Sequence, residues 1–221
     1  MATDSLPATI AIDGPAASGK SMLGQALAQR LKYVFLDTGR MYRAFTLAAI
    51  LGEVPPGDRQ ACAELAASGR IRVVPGVDSR VLLDGVDVTD LLREPAVEGN
   101  VSAYSAIPAV REAMVALQRE VAAAGSAILA GRDIGTVVLP NAPLKLYLDA
   151  SQAARARRRS AQAAQGESEA HRDISGRDRI DSTRQASPLA IATDAIVIDT
   201  TGMAPDEVIA AAMEKIRCAA G

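Results

Sequence analysis

Eight consecutive residues, Gly14-Pro15-Ala16-Ala17-Ser18-Gly19-Lys20-Ser21, fit the pattern G-x-x-x-x-G-K-[ST] in full. Their surroundings agree with it. TIAID (9–13) is a short apolar run that reads as a buried strand, and Leu23, Leu27 and Leu31 follow at helical spacing. A loop between such a strand and such a helix turns backbone N–H groups inward around phosphate oxygens, and the helix N-terminus adds partial positive charge. Lys20 then reaches the β- and γ-oxygens, and the Ser21 hydroxyl is placed to hold Mg²⁺. A nucleoside triphosphate site is therefore expected on Gly14–Ser21, with Met22 next to it.

The rest of the chain extends the alternation. YVFLD (33–37) is a second apolar run rich in strand formers, and residues 41–51 return to a helical pattern. Strand and helix alternating at short spacing predict an α/β fold with a parallel sheet. The pattern breaks at 71–89, where short β-rich runs are separated by Pro75-Gly76 and Asp84-Gly85; a small antiparallel hairpin or three-stranded ribbon is expected there. Helix resumes at Pro108, with Ile107, Val110, Met114, Leu117 and Val121 on one face. Strands are expected at 126–130, 144–149 and 195–199, and Pro205-Asp-Glu opens a last helix. Residues 151–184 hold eight arginines and, apart from Ile174 and Ile180, no large apolar side chain. So polar a stretch is expected to be a solvated face or a mobile cover.

Composition excludes several classes. The net charge of −2 argues against a general nucleic-acid binder, whose affinity comes from clustered cations. No apolar run approaches the ~18 residues of a membrane helix. MATDSLPAT carries no basic region followed by an apolar one, so no secretory leader is read there, and Cys62 and Cys218 are too few for a disulfide framework. The expectation is a soluble cytoplasmic protein. Of 24 Lys+Arg only Lys20, Lys32, Lys145 and Lys215 are lysines, a bias that a GC-rich genome produces by itself. A guanine-reading NKxD is missing, and Asp199-Thr-Thr-Gly202 lies too late for a GTPase switch. A small kinase acting on a metabolite suits the length best.

Five blocks carry a family resemblance. IAIDGPAASGKS, FLDTGRMYRAFTL, SAIPAVREAMVALQR, GRDIGTVVLPNAPLKLYLDAS and RDRIDSTRQASPL together resemble bacterial cytidylate kinases, in order from about residue 9 to 200. GRDIGTVV and the D-T-G-x-M-Y-R block are far more specific to that family than the phosphate loop. The resemblance implies a three-layer α/β/α fold with a central parallel sheet, in one domain over 1–221. Its core would comprise 8–56, 107–150 and 185–221, with an inserted monophosphate-binding subdomain at about 57–106 that contains the β-ribbon. An Arg-rich lid would span about 151–184. It also implies transfer of the γ-phosphoryl of ATP to CMP or dCMP with Mg²⁺, by a cytoplasmic monomer without nucleic-acid or membrane partners.

The implied roles follow the chemistry. Arg43 and Arg132 would meet the acceptor phosphate, although by residue type alone Arg43 could equally be a surface charge and Arg132 a structural ion pair. Cytosine offers an N4 donor beside N3 and O2 acceptors, a pattern read by carboxylates, hydroxyls and arginines. The resemblance gives that role to Ser102, Arg111 and Asp133, and gives ribose and base contacts to Asp181 and Arg184. Tyr42 would lie on the sugar or base, or in the core, and Asp37 is placed at the substrate site. With Lys20 and Arg132, the lid arginines Arg155, Arg158 and Arg177 are the catalytic candidates, whereas His171 is assigned neither metal nor base chemistry. The family usually has Asp or Glu before GRD, whereas this chain has Ala130, which leaves Asp37 or Asp13 to help Ser21 hold Mg²⁺. The alternatives are a UMP- or shikimate-type kinase and a catalytically weak nucleotide-binding module.

Overall fold

The computed structural model describes residues 6–163 and 166–220 of the 221-residue chain. Residues 164–165 of the expected lid, Gly221, and residues 1–5 of the segment read for a leader lie outside the described residues. The chain opens with β1 (Thr9–Asp13), α1 (Lys20–Leu31), β2 (Val34–Asp37) and α2 (Thr38–Leu51). Next come α3 (Arg59–Ala67), β3 (Ile71–Val74), β4 (Arg80–Leu83), β5 (Val86–Asp87), a 3₁₀ turn (Thr89–Arg93) and α4 (Pro95–Ser105). Then follow α5 (Pro108–Ala123), β6 (Ala127–Ala130), a single π turn (Ile134–Val138) and β7 (Leu144–Asp149). Last are α6 (Gln152–Ala163), α7 (Glu167–Thr183), β8 (Ile196–Asp199) and α8 (Pro205–Ala220).

The five long-range strands form one parallel sheet in the order β2-β6-β1-β7-β8. β1 is central, which is why TIAID is apolar on both faces. Alternation then sorts its side chains between two layers. Ala11, Leu36 and Leu129 face a cluster built with α2 and α5, including Met41, Phe45, Val110 and Met114. Ile10, Ile12, Phe35, Ile128 and Leu146 face the other way, onto Leu23 and Leu27 of α1 and Val208, Ala212 and Ile216 of α8. The expected three-layer α/β/α arrangement is the one observed.

Loops at the C-terminal ends of these strands converge, as they do in open parallel sheets. α2 starts at Thr38 rather than at the expected 41, because the Asp37 carboxylate caps it by accepting from the Gly39 N–H at 3.0 Å. The ribbon is a separate three-stranded antiparallel sheet, β3-β4-β5, turned at Asp84 and Gly85, both at positive φ. Its Ile71, Val81 and Leu83 pack into the α2/α5 cluster. The flanking helices α3 and α4 were not expected from apolar spacing. On α4 the buried positions mix Val97 and Tyr104 with Glu98 and Ser105, which blurs the stripe. The arginine-rich stretch is a helical pair, α6 and α7, whose Ala156 and Ile174 meet Ala16 in a small apolar contact over the phosphate loop.

Candidate active site

The phosphate loop leaves β1 through Gly14 at φ +150, where an added Cβ would lie 2.2 Å from the Leu148 carbonyl oxygen, so only glycine fits. Ala17 takes the left-handed region and Gly19 a positive φ, which bends Ala16–Ser21 around one side of a cavity of about 490 Å³. That volume is in the range of small-molecule sites. Met22 also lines it, while Gly14 and Pro15 take part through their carbonyls: Gly14 O accepts from Arg132 Nη1 at 3.2 Å and Pro15 O from Lys20 Nζ at 2.6 Å. Lys20 Nζ also donates to Ser18 Oγ at 3.2 Å. Burial, followed by the like charge of Arg132, pushes its ammonium well below the ordinary lysine value, a bias that an incoming polyphosphate would reverse.

Beside the loop, Ser21 Oγ donates to Asp37 Oδ2 at 2.6 Å. Burial alone would raise Asp37, but Arg43, the Ser21 hydrogen bond, Arg40 and Lys20 outweigh it and hold the carboxyl below its usual value. A hydroxyl next to an ionised carboxylate suits Mg²⁺, which takes one or two protein oxygens and completes its shell with water and substrate phosphates. Among the described residues there is no cluster of three or more metal-ligating side chains. Ala130 is paired in register with Asp37 on the neighbouring strand, so the carboxylate present stands one strand over from the one the family usually has. Asp13 is otherwise engaged. Both its oxygens accept backbone N–H groups, from Ile134 at 2.8 Å and Gly135 at 2.7 Å, and burial raises its pKa to about 6.

Opposite the loop, cations and carboxylates alternate along one chain of contacts. Arg111 of α5 is buried, hydrogen-bonds Asp133 through Nη2 and the Ser105 carbonyl through Nη1 at 3.2 Å, and lies 5.3 Å from the centre of the Tyr42 ring. Asp133 continues to Arg184 at 3.6 Å, and Arg184 to Asp181 at 3.4 Å. Asp181 accepts from Arg132 Nε at 2.8 Å, and Arg132 returns to Gly14 of the phosphate loop. Tyr42, Arg111, Arg132, Asp133, Asp181 and Arg184 all line the cavity, as does Ser102. One continuous polar wall thus joins the expected base-reading residues to the loop.

The arginines of α6 and α7 divide. Arg158 lines the cavity and is held by Thr200, through Nη1 to Oγ1 at 3.0 Å and through Nη2 to the carbonyl. Arg177 and Arg43 also line it, and both bind Glu98 of α4. Arg155 is not among the lining residues; its guanidinium is spent on the Ala150 and Ala16 carbonyls and on Asp178, whose other oxygen accepts the Ala16 N–H at 3.0 Å. Four participants escaped the sequence reading: Glu98, Arg93, Arg159 and Thr200. Arg159 stands in the arginine run four residues after Arg155 and could have been found by that spacing, but Glu98 reads only as an acid in a helix's first turn.

A parallel sheet ending in a phosphate loop, an arginine-bearing helical pair and an adjoining polar cavity define a P-loop phosphotransferase. Comparison with known proteins narrows the class. Residues 10–218 match the cytidylate kinase family, and the chain belongs to it. A cytidylate kinase of Limosilactobacillus reuteri (strain DSM 20016) is 48% identical over 207 residues, covering 90% of this chain and 91% of that protein. A cytidylate kinase of Mycobacterium leprae (strain Br4923) is 44% identical over 218 residues, covering 96% of each. Among solved structures, an uncharacterized protein from Eubacterium ventriosum ATCC 27560 shares the fold at a TM-score of 0.51, with 11% identity over 94% of this chain and 97% of its own.

Proposed function

We propose that the protein transfers the γ-phosphoryl group of ATP to CMP or dCMP, yielding ADP and CDP or dCDP. The observation that carries this reading is the polar wall running from Arg111 and Asp133 to Arg132 and the phosphate loop, in a chain of the cytidylate kinase family. The wall offers cytosine what its edge requires, a carboxylate for the N4 amino group and guanidinium donors for N3 and O2. Asp133, Arg111 and Ser102 take the base, with Asp181 and Arg184 at the ribose and base and Tyr42 against the ring. We take α3 through α4 (about 57–106) as the acceptor-binding subdomain and about 151–184 as the lid.

The acceptor phosphate is its own nucleophile. Its oxygen attacks the γ-phosphorus while the bond to the β–γ bridging oxygen breaks, so positioning and charge neutralisation are what the protein must supply. Arg43 and Arg132 hold the acceptor phosphate, and Arg158 and Arg177 meet the transferring group. Lys20 exchanges the Pro15 carbonyl for donor phosphate oxygens. Arg155 ties the lid to the phosphate loop through Asp178 and Ala16. Ser21 and Asp37 would hold Mg²⁺, which would neutralise charge on the donor phosphates. The two cysteines are free, in keeping with a reducing cytoplasm, and one chain assembles the whole wall, in keeping with a monomer. No helix among the described residues is long and apolar enough to cross a membrane.

The test is ADP release from ATP with a panel of acceptors: CMP, dCMP, UMP, AMP and shikimate. Stimulation by CMP or dCMP well above that by UMP is expected. Release no greater than background hydrolysis with either cytidine nucleotide would refute the reading.

A further inference from the structure

Glu98 does not line the cavity, yet three arginines converge on it. Its Oε1 accepts from Arg43 Nε at 2.8 Å, and its Oε2 accepts from Arg159 Nη2 at 2.8 Å and Arg177 Nη2 at 2.7 Å. Arg177 Nη2 also donates to the Glu98 backbone carbonyl at 2.8 Å. The carboxylate sits in the first turn of α4, whereas its partners come from α2, α6 and α7. All three arginines line the cavity; Glu98 does not. It therefore grips them from behind and takes a single nitrogen of each five-donor guanidinium. A fourth arginine, Arg93, lines the same cavity, and burial with the neighbouring Arg43 charge lowers its pKa. Lys20 and eight arginines line the cavity against four aspartates, Asp37, Asp133, Asp173 and Asp181, which leaves a surplus of positive charge facing it, suited to a polyanion.

We propose that Glu98 is a positioning residue for phosphoryl transfer: it sets Arg43, Arg159 and Arg177 in mutual register and ties the two lid helices to the acceptor-binding subdomain. The inference rests on the phosphotransferase reading. Burial alone would raise the Glu98 carboxyl, but Arg43, Arg177 and Arg159 outweigh it and hold it down at about 2, so the tether is charged throughout the working range. With the tether intact, the lid arginines meet the γ-phosphoryl in register with the acceptor. Without it they still attract ATP, but water competes as acceptor, giving ADP and inorganic phosphate instead of ADP and CDP.

The experiment compares wild type, Glu98→Gln and Glu98→Asp with ATP and CMP, quantifying ADP and CDP separately and titrating ATP affinity without CMP. For Glu98→Gln, kcat is expected to fall about tenfold to a hundredfold, as misplacement of catalytic groups does. ATP affinity should stay unchanged and the ADP-to-CDP ratio should rise above one, while Glu98→Asp restores part of both. Wild-type kcat and product ratio in Glu98→Gln would overturn the proposal, as would a kcat loss matched by an equal loss of ATP affinity. If Glu98→Gln does not fold, Glu98→Asp keeps the charge but withdraws it by one methylene, and a wild-type product ratio there overturns the proposal. A wild-type enzyme that ignores CMP would instead refute the functional reading, and this inference with it.

Discussion

Replacing Asp133 by asparagine keeps the side chain's shape and removes its charge, which makes it a sharp test of the base-reading wall. In the fold, Asp133 is the carboxylate partner of Arg111, and the two side chains are 6% and 3% exposed. Deleting one member of such a buried pair outright costs ~3–5 kcal/mol. Asparagine still offers Arg111 an oxygen, so the loss should be closer to that of one charge-assisted hydrogen bond, about 1.5–3 kcal/mol. For a chain of this size that lowers Tm by roughly 3–12 °C. In the proposed complex, the carboxylate would accept from the N4 amino group of cytosine and would face the O4 of uracil as acceptor against acceptor. An asparagine amide can turn and donate to O4. Loss of the same interaction corresponds to an erosion of about 10- to 150-fold in the CMP-over-UMP ratio of kcat/KM. The assay is coupled ADP release with each nucleotide in turn, alongside thermal unfolding of the free enzyme. Equal losses with CMP and UMP would refute a base-reading role, and an unchanged Tm would refute the energetic account of the Arg111–Asp133 pair.

Other substitutions probe the rest of the site. Lys20→Ala removes a donor to the phosphate oxygens and should lower kcat by ~10²–10³; near-normal turnover in the ADP assay would undo the phosphate-loop assignment. Asp37→Asn should raise the Mg²⁺ concentration for half-maximal activity roughly tenfold or more, and an unchanged Mg²⁺ titration would mean that another group holds the ion. Ala130→Asp should shift that titration the opposite way, since it adds a carboxylate in register with Asp37. Glu98 also has a stability signature. Its folded pKa of about 2 lies below the ordinary 4.5, so its contribution is complete above pH 4.5 and lost as pH falls toward 2. Urea midpoints at pH 6 and pH 3 should therefore differ less in Glu98→Gln than in wild type, and an identical pH dependence would contradict the ion-pair cluster.

Much of the fold was legible because its signals are local. TIAID and LKLYLD are apolar on both faces because their strands lie inside a parallel sheet, and periodicity registers that directly. The phosphate loop was legible for the same reason: its glycines serve positive φ at Gly14 and Gly19 and its lysine serves the chemistry, all within eight residues of sequence. Helix α2 begins three residues before its helical pattern shows in the sequence, because the capping Asp37 belongs equally to the strand before it. Helix α4 stayed hidden because a buried Glu98 interrupts its apolar stripe and is compensated only by arginines 55, 61 and 79 residues away.

The chain's own residues therefore determined the class of fold, the triphosphate loop and the set of polar side chains available to the substrates. Tertiary structure decided how they are used. It spent Asp13 on the backbone of the turn after β6 and left Asp37 for Ser21, a choice between two carboxylates that sequence could not make. It turned Arg155 toward Asp178 and Ala16 while leaving Arg158 and Arg177 on the cavity. The physical reason is the same in each case. Residue type fixes what a group can donate, accept or neutralise, but its partners come from distant elements, and only packing brings them within hydrogen-bond range.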